Sequence, residues 1–145
     1  MPTITVKNLL EMRKFAREFV DTLKGGEIVG LIGDLGAGKT TFVQLLSAAL
    51  GVKKPVRSPT FILMQIFDTR ARKGTRVRRI CHVDAYRLKN EMELFAIGFE
   101  DFAGQSDVVT LVEWADRVPI IKQLPSYREI RFGFGPEDAR VLEVS

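Results

Sequence analysis

The sequence predicts an α/β fold in which a mixed parallel and antiparallel sheet of about seven strands is flanked by helices. Short runs of β-branched residues alternate along the chain with amphipathic stretches, as expected where strands and helices take turns. Residues 28–32 form a continuous apolar run and residues 108–112 form another run of the buried type, which is typical of strands covered on both faces. The last part of the chain has the pattern of a hairpin.

The first third of the chain predicts the order strand, helix, strand, glycine loop, helix. Asn8 is the expected N-cap of the first helix, whose apolar residues recur at threes and fours as far as Leu23 before two glycines end it. The second helix is expected to end at Gly51. The predicted elements are strands at 3–6 and 28–32 and helices at 9–23 and 39–50.

The rest of the chain predicts further strands, most of them in hairpins. Residues 60–67 and 77–83 are expected to be strands joined by the charged connection DTRARKGTR, with Gly74 in the turn. Asn90 is expected to cap a short helix that runs to Ile97. A buried strand is predicted at 108–112, and a closing hairpin at 127–134 and 140–144.

Length and composition limit the kinds of protein that this chain can be. With 145 residues, 46% of them hydrophobic, we expect one domain over residues 1–145. Lysine and arginine exceed aspartate and glutamate by 22 to 18, which permits contact with a polyanion without requiring it. Cys81 is the single cysteine, so no internal disulfide is expected. Neither a signal peptide nor a membrane-length apolar run is evident, so we expect a cytoplasmic protein without membrane contact.

The segment GDLGAGKTT, residues 33–41, matches the pattern G-x-x-x-x-G-K-[ST] and lies between a predicted strand and a predicted helix. A phosphate chain needs inward-pointing backbone N–H groups, and small residues allow their close approach. The alternative is an ordinary glycine-rich turn. The context favours a P-loop NTPase-like fold whose loop holds the phosphates of ATP or GTP.

Each part of this loop has an expected contact with the nucleotide. Lys39 is expected to reach the outer phosphates, Thr40 to complete the coordination of Mg²⁺, and Thr41 to contact the innermost phosphate. The cofactor-binding residues predicted here are Gly33, Asp34, Leu35, Gly36, Ala37, Gly38, Lys39, Thr40 and Thr41.

Two acids follow apolar strands, Asp84 in RRICHVDAYR and Glu113 in VVTLVEW. Ligands of open α/β sheets collect at the carboxyl ends of strands, so both acids are expected to face the nucleotide. Glu113 has the cleaner apolar lead-in, whereas aspartate is the usual metal partner. The alternative is that each acid caps a strand or pairs with Arg87 or Arg117.

The sequence pattern suggests roles for three other residues. Thr60, in RSPTF at 57–61, is the kind of residue that senses a γ-phosphate through Mg²⁺, although an ordinary turn is the preferred interpretation. His82 is interpreted as a structural histidine with its hydrogen bonds met. Trp114 is interpreted as a core residue, with stacking on a base as the alternative.

Four segments in this order, GDLGAGKTT, SPTF, HVDAYRL and VEW, resemble the small P-loop ATPases of the TsaE or YjeE family over residues 28–125. The resemblance implies a mixed sheet around a P-loop, binding of ATP with Mg²⁺, and slow hydrolysis that depends on partners. It implies a role beside the TsaD and TsaB subunits in making threonylcarbamoyladenosine next to the tRNA anticodon.

The resemblance also implies roles for particular residues. Thr40 and Asp84 resemble the Mg²⁺ partners, Glu113 a residue of the metal shell or one that orients water, and Thr60 the switch threonine. Trp114 resembles a site residue, against the core interpretation above. Lys39, Asp84 and Glu113 are the predicted catalytic residues.

The chain departs from the family in two places. The family often has a threonine near the position of Met12, so no base contact is carried over there. The connection at 69–79 is richer in arginine than the resemblance requires, which suggests contact with tRNA or a partner, the alternative being a solvated hairpin tip.

Two other functions compete with a partner-dependent ATPase switch. A small P-loop kinase acting on a metabolite would need an acceptor pocket and an arginine lid, which the 69–79 segment could imitate. A nucleotide-gated scaffold would use ATP only to fix a binding surface.

Overall fold

The computed structural model describes residues 2–56, 63–70 and 74–145 and has the predicted α/β architecture. Its α-helices are Leu9–Val20 (α1), Lys39–Ala49 (α2) and Glu91–Ala96 (α3). Its strands are Thr3–Val6 (β1), Ile28–Gly33 (β2), Met64–Asp68 (β3), Arg79–Asp84 (β4), Val108–Glu113 (β5), Tyr127–Phe134 (β6) and Arg140–Val144 (β7). Short 3₁₀ segments lie at Phe99–Asp101, Ala115–Arg117 and Pro119–Gln123.

The strands form one seven-stranded sheet in the order β1-β7-β6-β2-β5-β4-β3. The four middle strands β6, β2, β5 and β4 are parallel, while β7 and β3 run antiparallel to their inner neighbours. The prediction of a mixed sheet of about seven strands is therefore confirmed. Because the middle strands are parallel, the loop after β2 and the last residues of β4 and β5 meet at one edge, which we call the carboxyl edge.

Several predicted boundaries need correction. Helix α1 ends at Val20 rather than near Leu23, since the N–H groups of Thr22 and Leu23 bond only three residues back, to the carbonyls of Phe19 and Val20, both at 3.0 Å. Strand β4 starts at Arg79 rather than at residue 77, because the Val77 N–H turns back to the Thr75 hydroxyl at 3.2 Å. Strand β3 covers residues 64–68, and residues 60–62 of the predicted strand lie outside the described residues.

Helices α1 and α2 cover one face of the sheet, and α3 with the 3₁₀ segments covers the other. On the first face Phe42 of α2 lies 5.6 Å from both Phe15 and Phe19 of α1 and 5.8 Å from Phe132 of β6, measured between ring centroids. Edge and tilted contacts of this kind add to the burial of the rings. They fix α2, and with it the loop at its N-terminus, against the sheet.

Within the described ranges 2–56, 63–70 and 74–145, every helix is too short or too polar to cross a lipid bilayer.

Candidate nucleotide site

The loop between β2 and α2 is shaped by close packing and by left-handed backbone. A Cβ at Gly33 would lie 2.6 Å from the Phe132 carbonyl oxygen, so no larger residue fits there. Gly38, the residue before α2, has φ 109° and provides no side-chain cap. The first N–H groups of α2 therefore have no cap from that residue, and they face the loop at the positive end of the helix dipole.

Lys39 is buried in the loop and is only 4% exposed. Its Nζ donates to the carbonyl oxygens of Gly33 and Asp34, the latter at 2.9 Å, and lies 4.1 Å from the centroid of the Trp114 ring. Burial lowers the pKa of Lys39, and the nearby carboxylates, Glu113 foremost, oppose that shift. The ammonium group is thus held at the loop by carbonyl oxygens and a ring.

Glu113 is the last residue of β5 and is 2% exposed. One of its carboxylate oxygens, Oε1, accepts a hydrogen bond from the Thr40 hydroxyl at 2.7 Å. The other, Oε2, accepts one from His82 Nε2 at 2.5 Å. Both oxygens of a buried carboxylate are therefore held by side chains from other elements, α2 and β4.

Asp84 lies beside Glu113 because the two residues are register partners in the parallel pair β4 and β5. Asp84 is less buried, and its Oδ1 accepts the Tyr86 N–H at 3.0 Å. Both acids therefore lie at the carboxyl edge, as predicted, and their contact with a nucleotide stays a prediction.

Trp114 both packs on the core and faces the site, so the interpretation from pattern as a core residue was incomplete. It is half-buried against the α3 face and lies under the Lys39 ammonium. Its ring is 4.9 Å from the Tyr86 ring, and the Arg117 guanidinium lies 4.9 Å from Tyr86. Its backbone is left-handed, with φ 59°, which is unusual for a large residue and typical of functional sites.

These groups surround a cavity of about 320 Å³ at the carboxyl edge. Its lining residues are Leu35, Gly36, Gly38, Lys39, Thr40, Thr41, Leu63, Asp84, Tyr86, Arg87, Glu113 and Trp114. A second cavity, of about 390 Å³, lies on the other side of the loop and shares Gly36, Gly38 and Thr41 with the first. Met12 of α1 lines it.

Other predicted residues fall away from the centre of the site. Leu35 is 84% exposed, and Thr60 with the whole of 57–62 lies outside the described residues. The described part of the basic connection 69–79 begins where β3 ends and leads into the start of β4, so it lies at the opposite, amino edge of the parallel strands. Contact of that segment with tRNA stays a prediction.

His82 is the residue of the site that pattern reasoning missed. Alternation along β4 places it on the same face as Asp84, and the register of β4 and β5 brings that face beside Glu113. The spacing His-x-Asp at the end of a strand was the available signal. His82 is interpreted from the pattern as a structural histidine whose hydrogen bonds are satisfied. Nε2 has a partner in Glu113, but Nδ1 has none within the described residues.

The donor set is the kind that Mg²⁺ prefers, namely carboxylate and hydroxyl oxygens from Thr40, Asp84 and Glu113. In the described ranges no group of three or more His, Cys, Asp or Glu residues is placed to hold a metal ion by itself. Mg²⁺ usually binds through one or two carboxylates together with phosphate oxygens. The residues therefore fit an ion that arrives with a nucleotide.

Comparison with known proteins identifies the family. The model of the family described as "Threonylcarbamoyl adenosine biosynthesis protein TsaE" matches residues 6–141. The TsaE protein of Aquifex aeolicus is 42% identical over 106 residues, which are 72% of this chain and 69% of that protein. The TsaE protein of Rickettsia bellii is 39% identical over 136 residues, 93% of this chain and 88% of that protein.

A solved structure has a similar fold. The crystal structure of Bacillus subtilis YdiB superposes with a TM-score of 0.69 at 28% identity, covering 99% of this chain and 83% of that one. The chain belongs to the TsaE family, and its role is in the biosynthesis of tRNA threonylcarbamoyladenosine.

Proposed function

We propose that this chain binds ATP with Mg²⁺ at the loop 33–41, hydrolyses it, and acts as a partner-dependent switch in forming the threonylcarbamoyl group on the adenosine next to the tRNA anticodon. The observation that supports this most strongly is the chain of hydrogen bonds from Thr40 through Glu113 to His82, at the N-terminus of α2 beside Lys39. It joins the phosphate loop to a carboxylate from a neighbouring strand.

The loop supplies the groups that a triphosphate needs. The first turn of α2 directs N–H groups and the positive end of its dipole at the loop, and Lys39 adds a full charge. The Lys39 ammonium contacts carbonyl oxygens of its own loop. Phosphate oxygens carry more negative charge than carbonyl oxygens, so a bound triphosphate is a better partner for this ammonium.

Thr40, Asp84 and Glu113 are the residues that would hold Mg²⁺. When bound there, Mg²⁺ would supply positive charge against the phosphate oxygens. The Thr40 hydroxyl points at the proposed ion position, because it donates to Glu113. Asp84 stands on the adjacent strand and lines the same cavity.

Glu113 is the residue we assign to orienting the attacking water or to the outer shell of the metal. Glu113 is only 2% exposed, so its carboxylate acts where solvent is largely excluded and its charge is weakly screened. Phosphoryl transfer depends mainly on such positioning and electrostatics.

We expect hydrolysis by this chain to depend on TsaD and TsaB type subunits. Thr60 is the expected sensor of the γ-phosphate. In this scheme the partners respond to the nucleotide sensed at Thr60, which lies outside the described residues, and hydrolysis resets that response. A scaffold that never needs hydrolysis is the competing function. A metabolite kinase is disfavoured by the membership of the TsaE family.

The test is phosphate release from Mg-ATP by the full chain, alone and with TsaD, TsaB and tRNA, using Lys39→Ala as the control for contaminating ATPase. We expect slow release alone, faster release with the partners, and none above background for the control. If tRNA modification cycles equally fast with a non-hydrolysable ATP analogue, turnover is not part of the function and the scaffold is correct.

A further inference from the structure

We propose that His82 is a positioning residue: its Nε2–H holds Glu113 in the orientation that the reaction at the P-loop requires. This inference rests on the function proposed above and adds a residue to it. His82 does not itself line the cavity, and it reaches the cavity lining through its contact with Glu113, so its effect is expected to pass through that residue.

The contact between the two residues is short and shielded from water. His82 Nε2 lies 2.5 Å from Glu113 Oε2, and the two side chains are 0% and 3% exposed. An ionised carboxylate only accepts hydrogen bonds, so the imidazole donates its Nε2–H. In a site of low dielectric such a bond is strong, and leaving one of its partners alone is costly.

The geometry divides the carboxylate of Glu113 into two ends with different tasks. Oε2 is directed into the protein towards His82, and Oε1 is directed to the Thr40 hydroxyl at 2.7 Å. With Oε2 fixed, rotation of the carboxylate is restricted, and Oε1 stays at the start of α2. The outward end is therefore the one available to a metal-bound nucleotide or to water.

The other nitrogen of the ring supports the same conclusion. Nδ1 of His82 is buried, and the described part of the chain offers it no hydrogen-bond partner. Buried polar atoms without partners are destabilising, so a purely structural residue here would gain from being apolar. Among the described residues, the one hydrogen bond that the ring makes is directed at Glu113.

Three substitutions separate a positioning role from a packing role. His82→Gln places an amide N–H close to the position of Nε2, so it can still donate to Glu113. His82→Asn places its amide near the position of Nδ1, and this shorter side chain does not reach Glu113. His82→Met fills similar space without any donor. The full chain is used with Mg-ATP, and the measurements are kcat for phosphate release, KM, and nucleotide affinity by calorimetry.

We expect His82→Met and His82→Asn to lower kcat by about 10- to 100-fold, the range found for residues that orient groups in a site. KM and nucleotide affinity are expected to change little, and His82→Gln to regain most of the lost kcat. Equal kcat for all three variants, whether normal or reduced, would overturn the proposal.

A double-variant cycle adds a readout that a loss of stability does not mimic. If His82 acts through Glu113, His82→Met lowers kcat in the wild-type background and has little further effect in a Glu113→Gln background. Equal effects in the two backgrounds would contradict the proposal. Val109→Ala, in the core of β5, provides a control that is destabilised without losing a polar contact.

Failure of this inference is distinguishable from failure of the proposed function. If the folded wild-type chain neither binds nor hydrolyses Mg-ATP, alone or with its partners, the function itself is wrong. If the wild-type chain turns over and His82→Met turns over equally well, only the role of His82 is wrong.

Discussion

The two edges of the parallel strands each bury a glutamate, and the partners of the two glutamates differ. Glu27, just before β2 at the amino edge, is 8% exposed and accepts the backbone N–H groups of Lys24 and Gly25, both at 2.8 Å. Glu113, at the carboxyl edge, is 2% exposed and accepts from side chains of Thr40 and His82. One closes a local turn, and the other joins three distant elements.

This difference supports the proposal that the reaction takes place at the carboxyl edge. Backbone N–H groups bound by Glu27 are fixed parts of a turn and leave that carboxylate no freedom to change partners. The Thr40 hydroxyl can rotate towards another ligand, and Lys39 is held nearby by carbonyl oxygens and a ring. A buried carboxylate with one oxygen held by a hydroxyl that can change partners is suited to a reaction, whereas one with both oxygens held by backbone is suited to stability.

The largest expected effect is on nucleotide affinity at the carboxyl edge. Lys39→Ala removes the ammonium that we expect to contact the outer phosphates, at a loss of one or two charge-assisted hydrogen bonds, so affinity for Mg-ATP should fall by about 100-fold or more. Arg76→Ala, at the amino edge, is the matched control and should leave affinity unchanged. Calorimetric titration measures both, and equal affinities for the two variants would remove Lys39 from the site.

The next effect separates binding from turnover. Glu113→Ala should keep Mg-ATP binding and lower kcat by about 100-fold, because a group that acts mainly in the transition state is lost. Normal turnover in this variant, measured by phosphate release, would remove Glu113 from the mechanism.

Glu27→Ala is the structural counterpart of that variant. It leaves two N–H groups of a turn without their acceptor, so the free energy of unfolding should fall by about 1–3 kcal/mol. Turnover per folded molecule should not change, since Glu27 lies at the far edge of the sheet. Urea unfolding gives the first quantity and phosphate release at low temperature the second; a loss of kcat would mean that the two edges are coupled.

The smallest effect concerns Cys81, which is buried in β4. Burial raises the pKa of its thiol to about 12, so almost no reactive thiolate exists in the folded chain at pH 8. Labelling by a thiol reagent should therefore require opening of the fold, and bound Mg-ATP should slow it by stabilising the folded state. Rapid labelling of the folded chain, unaffected by nucleotide, would contradict this.

Local patterns predicted the parts of the site that depend on neighbours in sequence. The loop 33–41 follows from small residues between an apolar strand and a helix, and the positions of Asp84 and Glu113 follow from strands that end in an acid. The hairpin of β6 and β7 and the cap at Asn90 were likewise predictable, because their signals are contained in a few residues.

Features that depend on pairing between distant strands could not be predicted in this way. That β5 lies beside β2, and β4 beside β5, is set by the whole sheet, and only this register brings His82 to Glu113. The end of α1 was also missed, since apolar spacing continues to Leu23 while the backbone bonds tighten to a three-residue spacing from Thr22. Leu23 stays buried without being helical, so its apolar character was misleading.

The most direct test of the carboxyl edge as an ATP site uses Trp114, the single tryptophan of the chain, whose ring lies 4.1 Å from the Lys39 ammonium. Titration of the folded chain with Mg-ATP should change its fluorescence in a saturable, one-site manner, because Lys39 leaves the ring for the phosphates, and Lys39→Ala should abolish the change. A folded wild-type chain that shows neither a fluorescence change nor heat of binding with any Mg-nucleoside triphosphate would contradict the account.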